Sequence, residues 1–301
     1  MEKKSSKVFL TTNNVNNIKS KKKINMFCAP SKEDTSITCF TKRALKNIIE
    51  KWNEYYTNNK IEYNDTNTKK ELWHLIDSKL KNICTNEYCW TKQKFIENNK
   101  VKKNFRPVMP NKWKTQFDEW LNTLDIENVM KQYEKKYDDF HFIGPVPIDF
   151  DKEFSPGDCV IDELCKIKLK SLLNKGIKKL GIIFNLDPHD KPGSHWVSFF
   201  ANFDNNEIYY FDSYGLPEPD EVTKLMDRLK EQGSELNRDV KLFTNNVRHQ
   251  YKNSECGVYS IHFIIKLLEG TKYIDLINNK IDDDSMQENR NIYYLNEDNI
   301  E

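Results

Sequence analysis

Gln250-Tyr-Lys-Asn-Ser-Glu-Cys256-Gly257-Val-Tyr-Ser-Ile-His-Phe-Ile-Ile-Lys-Leu-Leu268 sets a cysteine directly before a long apolar run. The polar lead-in and the run behind it predict a helix over 256–268 with the thiol in its first turn. Unpaired N–H groups and the helix dipole at that end favour a thiolate. Gly257 removes side-chain bulk beside the sulfur, so a second backbone can approach closely. Cysteine is also among the most buried residue types, so the position alone leaves nucleophile and packing residue both open.

Working outward, His195-Trp196 opens an apolar, β-prone segment to Phe203, the Asp204-Asn205-Asn206 region turns, and Glu207–Asp212 returns. A loop at Phe203-Asp204 pairs residue 195 directly with 212, whereas a loop at Asn205-Asn206 moves the partner four residues further on. Both registers keep His195 and Asp212 on one sheet face, and a three-residue loop would separate them. On one face, Asp212 accepts from one imidazole nitrogen while the other meets a thiol. Thiol, base and base-orienting carboxylate are the parts for acyl transfer through cysteine. The remaining part is a donor set for the oxyanion. The Cys256 backbone N–H and the side-chain amide of Gln250, six residues upstream, are the candidates. His249 is a rival base, with Arg248 beside it to depress its basicity and no carboxylate with a geometric claim on it.

The chain has 301 residues, enough for roughly two domains. A charged fraction of 31% against 38% hydrophobic describes a generous polar surface. With 47 Lys and Arg against 46 Asp and Glu, no global field points to nucleic acid or membrane. No apolar stretch approaches the ~18 residues of a membrane span, and no secretory leader opens the sequence. The short basic run Lys19, Lys21, Lys22 and Lys23 reads as a solvated tail, with a nuclear signal or nucleic-acid arm as the alternative.

Four segments are expected. Residues 1–25 are a polar, disordered tail, 26–104 a helical N-terminal arm, 105–272 the core, and 273–301 a polar, loose C-terminal tail. Helical spacing predicts helices over 39–56 with Thr41 as N-cap, over 69–83, and over 90–97. Residues 113–135 read as two short helices broken near Thr123, with Asp125 capping the second. Residues 140–150 are extended, 161–173 helical, 179–186 a buried strand, 222–232 helical and 239–244 a short strand. Strands framed by helices on both sides make an α+β layer arrangement with a helical arm before it.

Seven cysteines at irregular spacings suggest a reducing, cytosol-like compartment. Cys28, Cys39, Cys84 and Cys89 are expected as buried free thiols. Two alternatives stand: a four-thiolate zinc site, for which only the Cys84/Cys89 spacing is suitable, and a Cys84–Cys89 disulfide. Cys159 and Cys165 lack a nearby base and read as packing residues. Asp149 reads as a turn cap, with a substrate-backbone contact as the alternative. Asp282-Asp283-Asp284 reads as solvated surface.

His195-Trp196, Asp212, Gln250 and Cys256-Gly257, in that order and spacing, resemble the ubiquitin-like-protein proteases and adenovirus-type proteases of peptidase clan CE. The resemblance covers roughly residues 140–270. The family usually has Asp before the cysteine, where this chain has Glu255. Asn245-Asn246-Val247-Arg248-His249-Gln250 and Phe142-Ile143-Gly144-Pro145-Val146-Pro147-Ile148-Asp149-Phe150 are similar to the polyprotein-processing proteases of large cytoplasmic DNA viruses, the African swine fever virus protease among them. The resemblance implies the clan CE core, a central mixed sheet flanked by helices. It implies Cys256 as nucleophile, His195 as base then acid, Asp212 as orienter and Gln250 as oxyanion donor. It further implies cleavage after Gly-Gly or Ala-Gly, with Trp196 walling a narrow tunnel as well as packing in the core. No metal or organic cofactor is expected. The expected partner is a protein substrate, either a viral precursor or a ubiquitin-like protein, acted on by a monomer without membrane contact. DNA or peptide activation, as in adenovirus relatives, is left open. The implied location is host cytoplasm and virion, or cytoplasm or nucleus for a cellular enzyme. An acyltransferase or a silent binding module on the same scaffold is the contrasting reading.

Overall fold

The computed structural model of the chain describes residues 27–32, 37–96 and 101–299. The expected tail 1–25, with its basic run, lies outside them. The chain divides into two compact units, Met1–Val108 with Tyr294–Glu301, and Met109–Tyr293.

In the first unit, helix α1 spans Lys42–Tyr55 and buries Leu45, Ile48, Ile49 and Trp52, the stripe that the spacing predicts. Each such side chain stabilises the fold by about 1.5–3 kcal/mol relative to exposure. Thr41 caps it, accepting from the Ala44 N–H. Helix α2, Lys69–Leu80, starts in a reciprocal capping box between Thr68 and Glu71. It stops at Leu80 rather than 83, and Ile83 is 59% exposed. Helix α3 is the short Glu87–Trp90, capped by Asn86, so it ends where the helix expected over 90–97 would begin, and 91–95 form turns and a bend instead. Leu295 is fully buried in this unit's core and donates its N–H to the Pro107 carbonyl at 2.8 Å. The segment read as a loose tail therefore closes the arm's core instead of trailing from it.

Disulfides join Cys28 to Cys39 and Cys84 to Cys89 in this unit. The expectation of four free thiols, and the zinc alternative, are both corrected. The physical reason is proximity created by folding, with Cα atoms 5.0 and 5.5 Å apart, within bonding range. Cys159 and Cys165 are likewise bonded to each other rather than packed as thiols.

The second unit is built on a five-stranded mixed sheet. Helix α4, Thr123–Glu134, precedes strand β1, Phe140–Pro147. Asn122, not Asp125, is the N-cap of α4, and Asp125 is its reciprocal partner three residues in. A small hairpin of β2, Glu153–Ser155, and β3, Asp158–Cys159, follows. The helix expected over 161–173 is two short pieces, α5 (Asp162–Cys165) and α6 (Leu169–Asn174). Then come β4, Lys179–Asn185, β5, Trp196–Asn202, and β6, Glu207–Phe211. Helix α7 is Asp220–Glu235 and β7 is Lys241–Thr244. The strand order is β1-β4-β5-β6-β7, parallel at both outer pairs and antiparallel within. Helix α8 is Cys256–Leu268, and the short helices α9 (Tyr273–Asn278), α10 (Asp283–Glu288) and α11 (Arg290–Tyr293) end the unit.

The sheet is covered on both faces. Leu180, Ile182 and Phe184 of β4 and Val197, Phe199 and Ala201 of β5 pack with Val222, Leu225, Met226 and Leu229 of α7. On the other face lies α8, which is apolar all round because it is buried nearly all round. Its Phe263 stacks on Phe211 of β6 at 4.6 Å, and its Ser260 hydroxyl donates to the Trp196 carbonyl at 3.2 Å.

The β5–β6 register differs from both registers considered above. Asn202 pairs with Glu207 across a four-residue loop, Phe203–Asn206. An even loop length preserves parity, so His195 and Asp212 remain on one side.

Candidate active site

His195 is the last residue before β5 and Asp212 the first after β6. His195 Nε2 meets Asp212 Oδ1 at 2.7 Å, and both residues are buried. The same oxygen accepts the Tyr214 N–H at 2.8 Å, and the Asp212 carbonyl accepts from Asn245 Nδ2 at 2.8 Å. This bonding locks the carboxylate and commits Nε2, leaving Nδ1 for a second partner. Cys256, the first residue of α8 and 2% exposed, lies near enough to interact electrostatically with the His195 ring. Burial alone would lower the imidazole pKa. The hydrogen bonds and negative charge of Asp212 and Cys256 outweigh it and raise His195 to about 9. The imidazolium is thus the favoured form beside the sulfur at neutral pH.

The N–H groups in the first turn of α8 have no carbonyl four residues back, because the earliest bond of the helix runs from Tyr259 to Glu255. They present a local positive field at the sulfur. Gln250 is fully buried in the loop before the helix. Its carbonyl oxygen accepts from the Ser213 hydroxyl at 2.6 Å and its Nε2 donates to the Lys252 carbonyl at 2.9 Å. The second amide proton has only a 3.4 Å contact with Glu255 Oε2.

Trp196 packs over the start of α8. A Cβ built on Gly257 would lie 3.0 Å from Leu121 Cβ and 3.3 Å from Trp196 Cδ1. Gly257 is therefore small because its own chain approaches it, and the expected room for a foreign backbone is taken by these two residues. The indole N–H donates to the Leu121 carbonyl at 2.9 Å, which fixes the ring. Beside it opens a cleft of about 520 Å³, lined by Leu121, Pro147, Asn185, Asp187, Pro188 and Trp196 among others.

The connection 186–195 that delivers His195 is braced from below. Asp149 accepts the His189 N–H at 2.9 Å and meets the His189 ring at 2.6 Å. Asp187 accepts the Ser194 hydroxyl at 2.8 Å. Asp149 thus has a structural part, but it braces the distant 186–195 connection through His189 rather than capping its own turn.

His249 is not brought to the thiol. Its ring packs edge-on to Phe211 and Tyr259, and burial, with the charge of Lys280, lowers its pKa to about 4. Cysteine makes no contribution to it. Residues that sequence reasoning passed over are Tyr214, Asn245, Leu121 and Asp283. Asp283, read as solvated surface, is 7% exposed. It accepts the backbone N–H groups of Tyr251 and Lys252 at 2.8 Å each. Asp283 carried no signal within its acidic run.

For a metal, the one grouping of donor atoms among the described residues is Glu153 with Cys159 and Cys165. Its two sulfurs are bonded to each other, and a disulfide sulfur is not a thiolate ligand.

Residues 166–300 match the sequence profile of the Ulp1 protease family, C-terminal catalytic domain. A candidate thiol protease of Acanthamoeba polyphaga mimivirus is 30% identical over 296 residues, 90% of this chain and 93% of the relative. A cysteine protease of African swine fever virus is 29% identical over 177 residues, 55% of this chain and 64% of that protein. The crystal structure of an African swine fever virus protease superposes with a TM-score of 0.61 at 20% identity, over 91% of this chain and 98% of that one.

Proposed function

This chain belongs to the Ulp1-like family of cysteine proteases, and from that premise we propose that it is an endopeptidase cutting after Gly-Gly or Ala-Gly in viral structural precursors during virion maturation. One observation carries the reading: Cys256 at the start of α8 interacts with an imidazole whose Nε2 is held by Asp212 at 2.7 Å. The viral origin of its relatives supports the substrate class.

In the proposed mechanism the proton of Cys256 already rests on His195 as the imidazolium, and the thiolate attacks the carbonyl carbon. The oxyanion is held by the Cys256 backbone N–H and by the loosely engaged second amide proton of Gln250. Asp212 keeps the imidazole in the productive orientation and stabilises the imidazolium. His195 then protonates the leaving amine, and water hydrolyses the thioester with His195 as base. Trp196 walls the approach to the sulfur.

The test sets wild type beside Cys256→Ala on two substrates, a structural-protein peptide containing Gly-Gly-X and a ubiquitin-like fusion ending in Gly-Gly. Cleavage of the peptide by wild type alone, with mass spectrometry placing the cut after the second glycine, is expected. Cleavage of the fusion alone would move the assignment to deconjugation of a ubiquitin-like protein. Failure of Cys256 to form an adduct with a glycine-derived electrophile would leave a silent scaffold.

A further inference from the structure

We propose that Tyr214 is a positioning residue for the catalytic pair, holding the His195 imidazolium by stacking on its face. The proposal rests on the reading of Cys256 and His195 given above and extends it to a residue with no acid–base part in the reaction.

Four observations converge on Tyr214. Continuing the β5–β6 register outward from Ser198 and Phe211, residue by residue, brings 195 opposite 214. The two rings are stacked there, with centroids 4.8 Å apart and planes 24° from parallel. The Tyr214 backbone N–H donates to the same Asp212 oxygen that binds the imidazole, at 2.8 Å. The Tyr214 hydroxyl donates to the Lys252 carbonyl at 3.1 Å, the acceptor that also holds Gln250 Nε2. One residue thus touches the base directly, shares the base's carboxylate, and ties both to the loop that leads into Cys256.

The chemistry follows from the ring. An aromatic face carries negative quadrupole density and attracts a cation laid over it. The stack favours imidazolium over imidazole and blocks rotation of the ring about its Cβ bond. Other charged groups around the pair are Asp212, Glu255 and Arg248, whose guanidinium carbon lies 5.4 Å from the Tyr214 ring and 4.7 Å from that of Tyr251. None of these replaces the stacking face.

The experiment follows iodoacetamide alkylation of Cys256 against pH, quantified on the Cys256 peptide, beside kcat and KM for a cleaved peptide. Full-length wild type, Tyr214→Phe and Tyr214→Leu are compared. The wild-type profile is expected to show a basic limb near pH 9, where His195 loses its proton. Tyr214→Phe keeps the ring and is expected to hold the limb within about 0.2 pH unit and kcat within about threefold. Tyr214→Leu removes the ring and is expected to move the limb down by roughly 0.5–1 unit and to cut kcat about tenfold, with KM within about twofold. An unmoved limb in Tyr214→Leu, or Tyr214→Phe behaving like Tyr214→Leu, overturns the proposal. Should Tyr214→Leu not fold, Tyr214→Met provides the same readout. Because alkylation needs no substrate, an error in the substrate leaves the test intact. A wild-type limb that persists in His195→Ala would instead sink the underlying catalytic pair.

Discussion

Asp283 accepts the backbone N–H of Lys252 at 2.8 Å across thirty-one residues of sequence. Its other oxygen meets the Tyr259 hydroxyl at 3.1 Å, so one carboxylate joins α10, α8 and the loop carrying Gln250. Asp283→Ala takes the charged acceptor from two part-buried backbone amides. A loss of about 2–3 kcal/mol is expected, from hydrogen bonds to a charged group. Thermal melting should fall by roughly 4–10 °C, whereas Asp284→Ala, exposed beside it, should leave the melting point unchanged.

Asp212→Asn tests the electrostatics of the pair. The His195 pKa is about 9 in the folded protein against an ordinary 6.5. A raised pKa means that the native state binds the proton more tightly. Its stabilisation is fully present below pH 6.5, declines from 6.5 to 9, and is absent above 9. A difference of 2.5 units corresponds to at most about 3 kcal/mol at about 1.36 kcal/mol per unit. Urea midpoints measured from pH 5.5 to 10 should show wild type losing its advantage over Asp212→Asn through that window. A constant gap would mean that the carboxylate acts only as a packing group.

Gly257→Ala should be destabilising by about 1–3 kcal/mol, because the new methyl meets Leu121 and an indole pinned by its own hydrogen bond. Trp196 has to shift, so tryptophan fluorescence and KM should change together. An unchanged emission spectrum with full activity would show that the packing at this point has slack.

The cysteines make a counting experiment. Denatured under non-reducing conditions, the chain should take up one alkyl group, at Cys256, since the other six are bonded in three pairs. Seven additions would contradict the pairing. Reduction should weaken the first unit by about 2–3 kcal/mol for each short loop opened.

Much of the architecture was legible locally. Leu45, Ile48, Ile49 and Trp52 recur at helical spacing and form the buried stripe of α1. The apolar run after Cys256 marks α8 at both ends. Less was legible where a boundary depends on a distant partner. Ile83 continues the periodicity of α2, yet the chain leaves the helix at Leu80. Asp125 resembles a cap until Asn122 occupies that place. The spacing of the cysteines left Cys84–Cys89 as one alternative and concealed the Cys28–Cys39 and Cys159–Cys165 bonds, because spacing along the chain does not report spacing in three dimensions.

By itself, the amino-acid order determined the α+β layering and the helix that begins at Cys256. These depend on periodicity and turn chemistry acting over a few residues. Folding in three dimensions alone decided the four-residue loop, the ring of Tyr214 over the imidazole, the packing of Trp196 on Gly257 and the burial of Asp283. Each of those needs two or more segments far apart in the chain to arrive at one place. Their energy comes from contacts and desolvation that exist only after the sheet and its covering helices have assembled.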